Sequence, residues 1–372
     1  MNSRRVTAED RRWLDVAFAL AERGRIGSSP NPMVGAVVVA GGRIVGQGFH
    51  ARAGGPHAEA IALEQAGELA RGAVLYVTLE PCCHQGRTGP CVERVLDSGV
   101  REVVAAATDS NPLVAGEGFR RLAEAGVGLL RDAAPERERL LNERFRCAME
   151  KGRPFVALKM ALSLDGKSAT ATGDAKWITG SGGRARVQML REELDAVAVG
   201  IGTVLADDPR LTRRLGWRAS PPLLRVIFDR TLRLPLHARL FDDPAPVLVV
   251  TMEGPDVERA ALLCKKGAEV LPIPGGAEGL SLLLGELHRR EVRGLLVEGG
   301  ATLAASFLSA GLVDRWYGFV APILVGGERA PGGIGGEGID ELVRAPRLRD
   351  LSIERIGDDL LLSGVLGTCS PA

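Results

Sequence analysis

The chain has 372 residues, 45% of them hydrophobic, and 47 Lys and Arg stand against 46 Asp and Glu for a formal net charge of +1. This balance leaves no field to recruit nucleic acid or an anionic membrane, no apolar run approaches the roughly 20 residues that cross a bilayer, and six cysteines are too sparse for a disulfide scaffold. The N-terminal MNSRRVTAEDRRW has no signal-peptide core, so the expectation is a cytoplasmic globular protein of about two domains with reduced thiols. Few aromatics with 48 Gly and 21 Pro suit an α/β protein rich in tight turns.

In chain order, Thr7 to about Arg23 reads as an amphipathic helix, with Thr7 and Asp10 in capping-box spacing and Gly24 as its stop. VGAVVVA (34–40), a Gly41-Gly42 turn and RIVGQGF (43–49) read as two antiparallel strands. HAEAIALEQAGELA (57–70) has helical period, AVLYVTLE (73–80) is a strand, and VERVLDSG, REVVAAA (101–107), a helix near 116–125 and a strand near Val127 to Leu130 follow. Strands alternating with helices imply a layered α/β sandwich. Residues 131–146 are charged and helical, and KGRP (151–154) marks a break, which places one domain at 1–150 and a second at 151–372. In the second half FVALKMAL, LDAVAVG (194–200), LLRVIFD (223–229), PVLVVT (246–251) and GLLVEGG (294–300) read as short buried strands. A glycine-rich loop, 326-GGERAPGGIGGEG-338, is the one low-complexity tract, and no fixed-period repeat is present.

Three of the five histidines and three of the six cysteines fall between residues 50 and 91. The pair 57-HAE-59 and 81-PC-82 fits the first parts of the H-x-E…P-C-x-x-C zinc deaminase signature, although eight residues separate Cys82 from Cys91 where that signature has two. One imidazole and two thiolates occupy three corners of a zinc tetrahedron, leaving the fourth for a water whose pKa falls toward roughly 7 and which attacks as hydroxide. Glu59 is then the proton shuttle, beside the metal without ligating it. Positions i and i+2 within a helix point about 200° apart, so His57 and Glu59 meet at one metal only if His57 opens the helix. Gly54, Gly55 and Pro56 before it are consistent with such a start. Cys91 precedes a helix as well, a setting that favours thiolate. The competing reading is a closed structural site of Cys82, Cys83, His84 and Cys91. It leaves 56-PHAEA-60 unexplained, and adjacent Cys82 and Cys83 side chains diverge.

The stretches 30-PNPMVGAVVV-39, 48-GFHARAGGPHAEA-60, 79-LEPCCHQGRTGPC-91 and 109-DSNPLVAGEG-118 resemble the deaminase half of the bifunctional riboflavin-biosynthesis deaminase/reductase family. The resemblance implies a cytidine-deaminase-like αβα fold, zinc held by His57, Cys82 and Cys91, Glu59 as proton shuttle, and Asn31, His50 and Asn111 lining a pyrimidine pocket. The bland reading of the two asparagines is turn chemistry beside proline. The family usually has Ser where Cys83 stands, which makes Cys83 a bystander.

The stretches 159-KMALSLDGKSATATGDAKWITG-180, 191-REELDAVAVGIGTVLADDPRLTRR-214 and 297-VEGGATLAASFLSAGLVDRWYGFVAPILVGG-327 are similar to the reductase half of the same family, which has a dihydrofolate-reductase-like α/β fold. From the residues alone, 297-VEGGATL-303 is a strand entering a Gly-rich helix start, a place that receives phosphate, and 200-GIGTVL-205 lacks the third glycine of a Rossmann fingerprint. The resemblance implies NADPH near Ala161, Trp177, Thr203, Asp207, Gly299, Gly300, Ala301 and Thr302. It implies substrate near Lys159, Arg191, Leu211, Arg214 and Glu298, with Lys159 close to the reacting carbon. Arg191 and Arg214 are expected to grip the ribose phosphate through paired hydrogen bonds, against a bland reading as a solvated helix face. Where the family often has Ser near that phosphate, this chain has Ala175.

The expectation is a two-step enzyme with zinc and NADPH. It deaminates a phosphoribosylamino-diaminopyrimidinone and then reduces the ribosyl group to ribityl, acting on small molecules as a homo-oligomer, with no nucleic-acid or membrane partner. The alternatives are a deaminase with a non-catalytic nucleotide- or phosphosugar-binding C-terminal domain, a zinc-stabilised module without chemistry, and deamination of another base.

Overall fold

A computed structural model describes residues 4–84, 89–216 and 222–366, so residues 85–88 of the cysteine segment lie outside the described ones. The chain separates into two compact units, one ending at Gly152 and the other beginning at Arg153.

The first unit is built on five strands, β1 (Gly35–Ala40), β2 (Arg43–Phe49), β3 (Val74–Val77), β4 (Glu102–Ala105) and β5 (Gly128–Leu130), in the order β2-β1-β3-β4-β5. β1 runs antiparallel to β2 and β3, whereas β3, β4 and β5 are mutually parallel. Side chains alternate between faces, so both sides of this sheet are apolar. Ala36, Val38, Leu75 and Val103 face the helices Ala58–Ala66, Cys91–Ser98 and Glu117–Glu124. Val37, Val39, Tyr76 and Val104 face Trp13, Ala17 and Phe18 of the helix Ala8–Glu22, giving an αβα sandwich. That helix opens with Thr7 accepting from the Asp10 N–H while the Asp10 side chain accepts from the Thr7 N–H. Gly46 and Gly48 allow the helix Ala58–Ala66 to lie on β2, because a Cβ at either would stand 2.0 Å from the Ala62 carbonyl oxygen or 2.5 Å from that of Ala58. The charged stretch after β5 forms two helices, Pro135–Leu141 and Glu143–Lys151.

Among its described residues the second unit holds nine strands: β6 (Phe155–Ser163), β7 (Ala196–Gly200), β8 (Leu224–Phe228), β9 (Val247–Met252), β10 (Ala268–Ile273), β11 (Gly294–Glu298), β12 (Arg315–Ala321), β13 (Leu348–Ile356) and β14 (Asp359–Leu366). Their order is β10-β9-β8-β7-β11-β6-β12-β14-β13, parallel through β12 and antiparallel across the β13–β14 hairpin. Leu280, Leu283, Leu284 and Leu287 of the helix Gly276–Arg289 and Phe307 of the helix Ala301–Ser309 close one face over Val156, Leu158 and Val297. β10, β12, β13 and β14 are strands that periodicity did not reveal. β13 is an edge strand exposed along nearly its whole length, so no buried face imposes alternation on its sequence. Among the described residues no helix is long and apolar enough to cross a membrane.

Candidate functional site

The first site forms where two helices start. His57 is the N-cap of Ala58–Ala66, in extended conformation at φ −76° and ψ 161°, and Cys91 is the first residue of Cys91–Ser98. Cys82 follows β3 in the connecting segment. The His57 Nδ1 lies 3.1 Å from Cys91 Sγ and 3.4 Å from Cys82 Sγ, and the three ligand atoms all lie within 4.8 Å of one another. Ligands on a tetrahedral zinc with bonds of roughly 2.0–2.3 Å stand about 3.5–3.8 Å apart, so this soft N/S₂ set fits that ion. The Cys91 thiol hydrogen-bonds the Cys82 sulfur and holds Cys82 down to about 4, and the same bond together with burial pushes Cys91 up.

Glu59 is the second residue of the helix and is 3% exposed. Burial, reinforced by the Cys82 charge, pushes its carboxyl up to about 7, and it also hydrogen-bonds Cys91. It is therefore adjacent to the N/S₂ cluster without being one of its members. His50 packs edge-on against His57 with ring centroids 5.2 Å apart. Its Nδ1 is 3.1 Å from the Pro56 carbonyl oxygen, which can only accept, so that nitrogen carries the proton and Nε2 accepts from the Asn31 amide at 3.0 Å. Burial lowers the His50 pKa and keeps the ring neutral. Asn111 lies in the segment after β4, and its Oδ1 accepts the Leu113 N–H at 3.1 Å, so its carbonyl end serves a turn. Cys83 points away from the cluster, toward the Leu113 carbonyl oxygen at 3.9 Å, and His84 is likewise outside the cluster.

The second constellation gathers at the carboxyl ends of the adjacent parallel strands β7, β11 and β6, where open α/β sheets bind ligands. Glu298, the last residue of β11, pairs in register with Lys159 of β6. Arg191, on the helix Ser181–Glu193, grips Glu298 through Nε–Oε1 at 2.5 Å and Nη2–Oε2 at 2.8 Å. Arg191 is 9% exposed and so is not part of a solvated face, and two of its donors, Nε and Nη2, are engaged by Glu298. Burial works to raise Glu298, and the Arg191 charge overcomes it and holds the carboxylate low. Burial lowers Lys159, with Glu298 opposing. Arg214 is exposed within electrostatic reach of Glu298. Leu211 is only 2% exposed at a positive φ of 52°, its side chain already taken up by packing.

Gly299 and Gly300 follow Glu298 with φ of 89° and 79°, a left-handed turn that leads into Ala301 and Thr302 at the start of Ala301–Ser309. A Cβ at Gly299 would stand 3.4 Å from the Thr203 Oγ1, so the turn after β11 and the helix after β7 face each other. Asp207 ends that helix and binds Lys176 at 2.8 Å, beside Trp177, which is 70% exposed with the Arg184 guanidinium 4.7 Å from its ring centroid. Ala161 lies two residues beyond Lys159 on β6, hence on the same face. Two polar anchors went unnoticed in the sequence. Asp359 of β14 accepts the Gly180 N–H at 2.8 Å and caps the helix carrying Arg191, and Arg213 donates to the Arg191 and Leu194 carbonyls at 2.8 and 2.7 Å at the helix's other end. Both act on main chain distant in sequence, which no local motif records.

A buried imidazole and two thiols beside an acid, on an αβα sandwich, are the donor set of a zinc-dependent nucleobase deaminase, and a second α/β unit built on a largely parallel sheet follows in the chain. Residues 7–107 match the cytidine and deoxycytidylate deaminase zinc-binding region, and residues 154–362 match the RibD C-terminal domain. The riboflavin biosynthesis protein RibD of Aquifex aeolicus is 42% identical over 95% of this chain and 97% of its own length, and that of Escherichia coli is 38% identical over 95% and 98%. The structure of Acinetobacter baumannii RibD superposes with a TM-score of 0.88 at 40% identity, covering 97% of this chain and 99% of that one. A Thermotoga maritima diaminohydroxyphosphoribosylaminopyrimidine deaminase/5-amino-6-(5-phosphoribosylamino)uracil reductase does so at 0.84 and 35% identity, with coverage of 97% and 99%. The chain belongs to the RibD family of riboflavin-biosynthesis proteins.

Proposed function

We propose that the enzyme deaminates 2,5-diamino-6-(5-phosphoribosylamino)pyrimidin-4(3H)-one in residues 1–150 and reduces the ribosyl group of 5-amino-6-(5-phosphoribosylamino)uracil to ribityl in residues 151–372, in the cytoplasm and as a homo-oligomer. His57, Cys82 and Cys91 hold zinc, which supplies Lewis acidity and brings the pKa of water toward about 7. Glu59 takes one proton of the attacking water and gives it to the ring nitrogen, then takes the second from the hydroxyl now on the ring carbon and gives it to the amino group, which leaves as ammonia as the carbonyl forms. The neutral His50, locked between Pro56 and Asn31, supplies a fixed polar wall for the pyrimidine, and Asn111 supplies another. NADPH would supply the hydride of the second step: opening the ribosyl ring leaves a C=N bond at C1, and C1 would take the hydride while the nitrogen gains a proton.

Ala161, Trp177, Thr203, Asp207 and the Gly299-Gly300-Ala301-Thr302 turn contact the cofactor; the helix start offers main-chain N–H groups to phosphate. Lys159, Arg214 and Glu298 contact the sugar substrate through their side chains, and Leu211 does so through its main chain. Lys159, kept low by burial, is the group placed to give the proton. Arg214 is the guanidinium open to the phosphate, while Arg191 holds Glu298 in place.

The observation carrying this reading is the meeting of one imidazole and two thiols beside the buried Glu59. Glu59→Gln tests it. We expect full zinc content, unchanged NADPH oxidation with deaminated substrate, and ammonia release reduced about 10²–10⁴-fold. Undiminished ammonia release would discard the mechanism.

A further inference from the structure

Glu80 is a buried carboxylate, 3% exposed, that the deamination chemistry leaves without a task. It stands between β3 and Cys82, and its own N–H donates to the Ala107 carbonyl at 3.0 Å, which fastens it beside the end of β4. Its side chain reaches across to the segment after β4. Oε2 accepts the N–H groups of Asp109 at 3.2 Å and Gly116 at 2.9 Å, and Oε1 accepts that of Phe119 at 3.1 Å. One side chain therefore satisfies main-chain donors at both ends of an eleven-residue span, from Asp109 to Phe119. The helix Glu117–Glu124 has Gly116 as N-cap and no side-chain cap of its own, so Glu80 supplies the capping acceptor that glycine cannot. The span also lies tight on the peptide that follows Glu80, since a Cβ at Gly118 would stand 2.2 Å from the Pro81 carbonyl oxygen.

This span carries Asn111, whose turn is closed by bonds of 2.8 Å from its N–H to Asp109 Oδ1 and 3.1 Å from the Leu113 N–H to Asn111 Oδ1. Two residues beyond Glu80 on the other side is Cys82. We propose that Glu80 is the positioning residue of the deaminase pocket: it ties the Asn111 turn to the Cys82 segment and so sets where the pyrimidine contact stands relative to the metal cluster. The proposal rests on the reading of Asn111 as a pyrimidine contact. A carboxylate is required because three N–H donors converge on its two oxygens. The amide of glutamine has only one oxygen, so its NH₂ must meet at least one of those donors.

The test uses the zinc-loaded full chain carrying Glu80→Gln, Asn111→Ala or both, with zinc content, ammonia-release kinetics and NADPH oxidation on deaminated substrate measured on each preparation. We expect Glu80→Gln to keep its zinc and its NADPH oxidation, and to raise KM for deamination about tenfold with kcat changed by no more than about twofold, the effect of one lost buried charge-assisted bond. Asn111→Ala should raise KM by itself, and adding Glu80→Gln to it should add little, because both act on one contact. If Glu80→Gln does not fold, Glu80→Asp keeps both oxygens on a shorter arm and should raise KM by less. Unchanged KM in the Glu80 variant beside a raised KM in Asn111→Ala overturns the positioning role alone. Unchanged KM in Asn111→Ala overturns the pocket reading and the proposal with it. Zinc lost in step with activity would make Glu80 a support of the metal cluster and overturn the proposal as well.

Discussion

Arg191 and Glu298 form a two-bond ion pair with the partners only 9% and 8% exposed, so each desolvated charge depends on the other. Removing one partner of such a pair leaves an uncompensated buried charge and costs about 3–5 kcal/mol, whereas replacing both with apolar groups of similar volume is close to neutral. Lys159 makes the two single losses unequal. With Glu298→Leu, two cations face each other in a buried site where burial already lowers the lysine. With Arg191→Met, Glu298 keeps Lys159 as a neighbouring cation. We expect Glu298→Leu to cost about 4–5 kcal/mol, Arg191→Met about 2–3, and the double variant about 1 or less, a coupling of several kcal/mol. Calorimetry of the full chain follows the transition of the second unit; at about 2–4 °C per kcal/mol for a domain of this size, Glu298→Leu should lower it by roughly 10–15 °C. A loss under about 1 kcal/mol for either single variant, or a double variant as unstable as the two losses added, would refute the reasoning.

Asp109 is pushed up to about 7, first by burial and then by the neighbouring Glu80, Glu138 and Cys82 charges. Between its unfolded value near 4 and about 7 the folded protein holds a proton that the unfolded chain has released, so stability falls as pH rises through that window. In the metal-free protein Asp109→Asn should remove this loss, gaining as much as about 4 kcal/mol on wild type at pH 7.5 and little at pH 4 in urea titrations; equal stabilities at both pH values would contradict it. Leu351 and Ile353 on the edge strand β13 are 53% and 64% exposed, which makes that edge the expected contact in a homo-oligomer. Ile353→Glu should shift the sedimenting species toward monomer, and a wild-type chain that sediments as a monomer would refute the assembly.

Much of the first site is legible because its chemistry is local. His57 and Glu59 share three residues, and their incompatible directions within a helix already require His57 at the helix start, where it stands as N-cap. Cys82 and Cys83 diverge because they are adjacent. The first sheet is legible for a related reason: strands covered by helices on both faces are nearly continuous apolar runs between turns. β13 is not, since an edge strand with a solvated face has no burial to impose a pattern. Residue type alone does not separate the arginines. Arg191 and Arg214 look alike as candidates for phosphate, yet one is buried against Glu298 and the other is exposed.

Residue types and their spacing were enough to show a layered α/β protein and a cluster of histidine and cysteines beside an acid, because donor chemistry and helix direction act over a few residues, while the αβα fold and the choice of His57, Cys82 and Cys91 came with the family resemblance. Tertiary structure alone decided which charges are spent on one another: Glu298 on Arg191, Asp359 on Gly180 and Glu80 on the Asp109–Phe119 span, partners 107, 179 and up to 39 positions apart. A buried charge must find a partner wherever the fold brings one within reach, and that distance is set by the sheet order and not by the order of the chain.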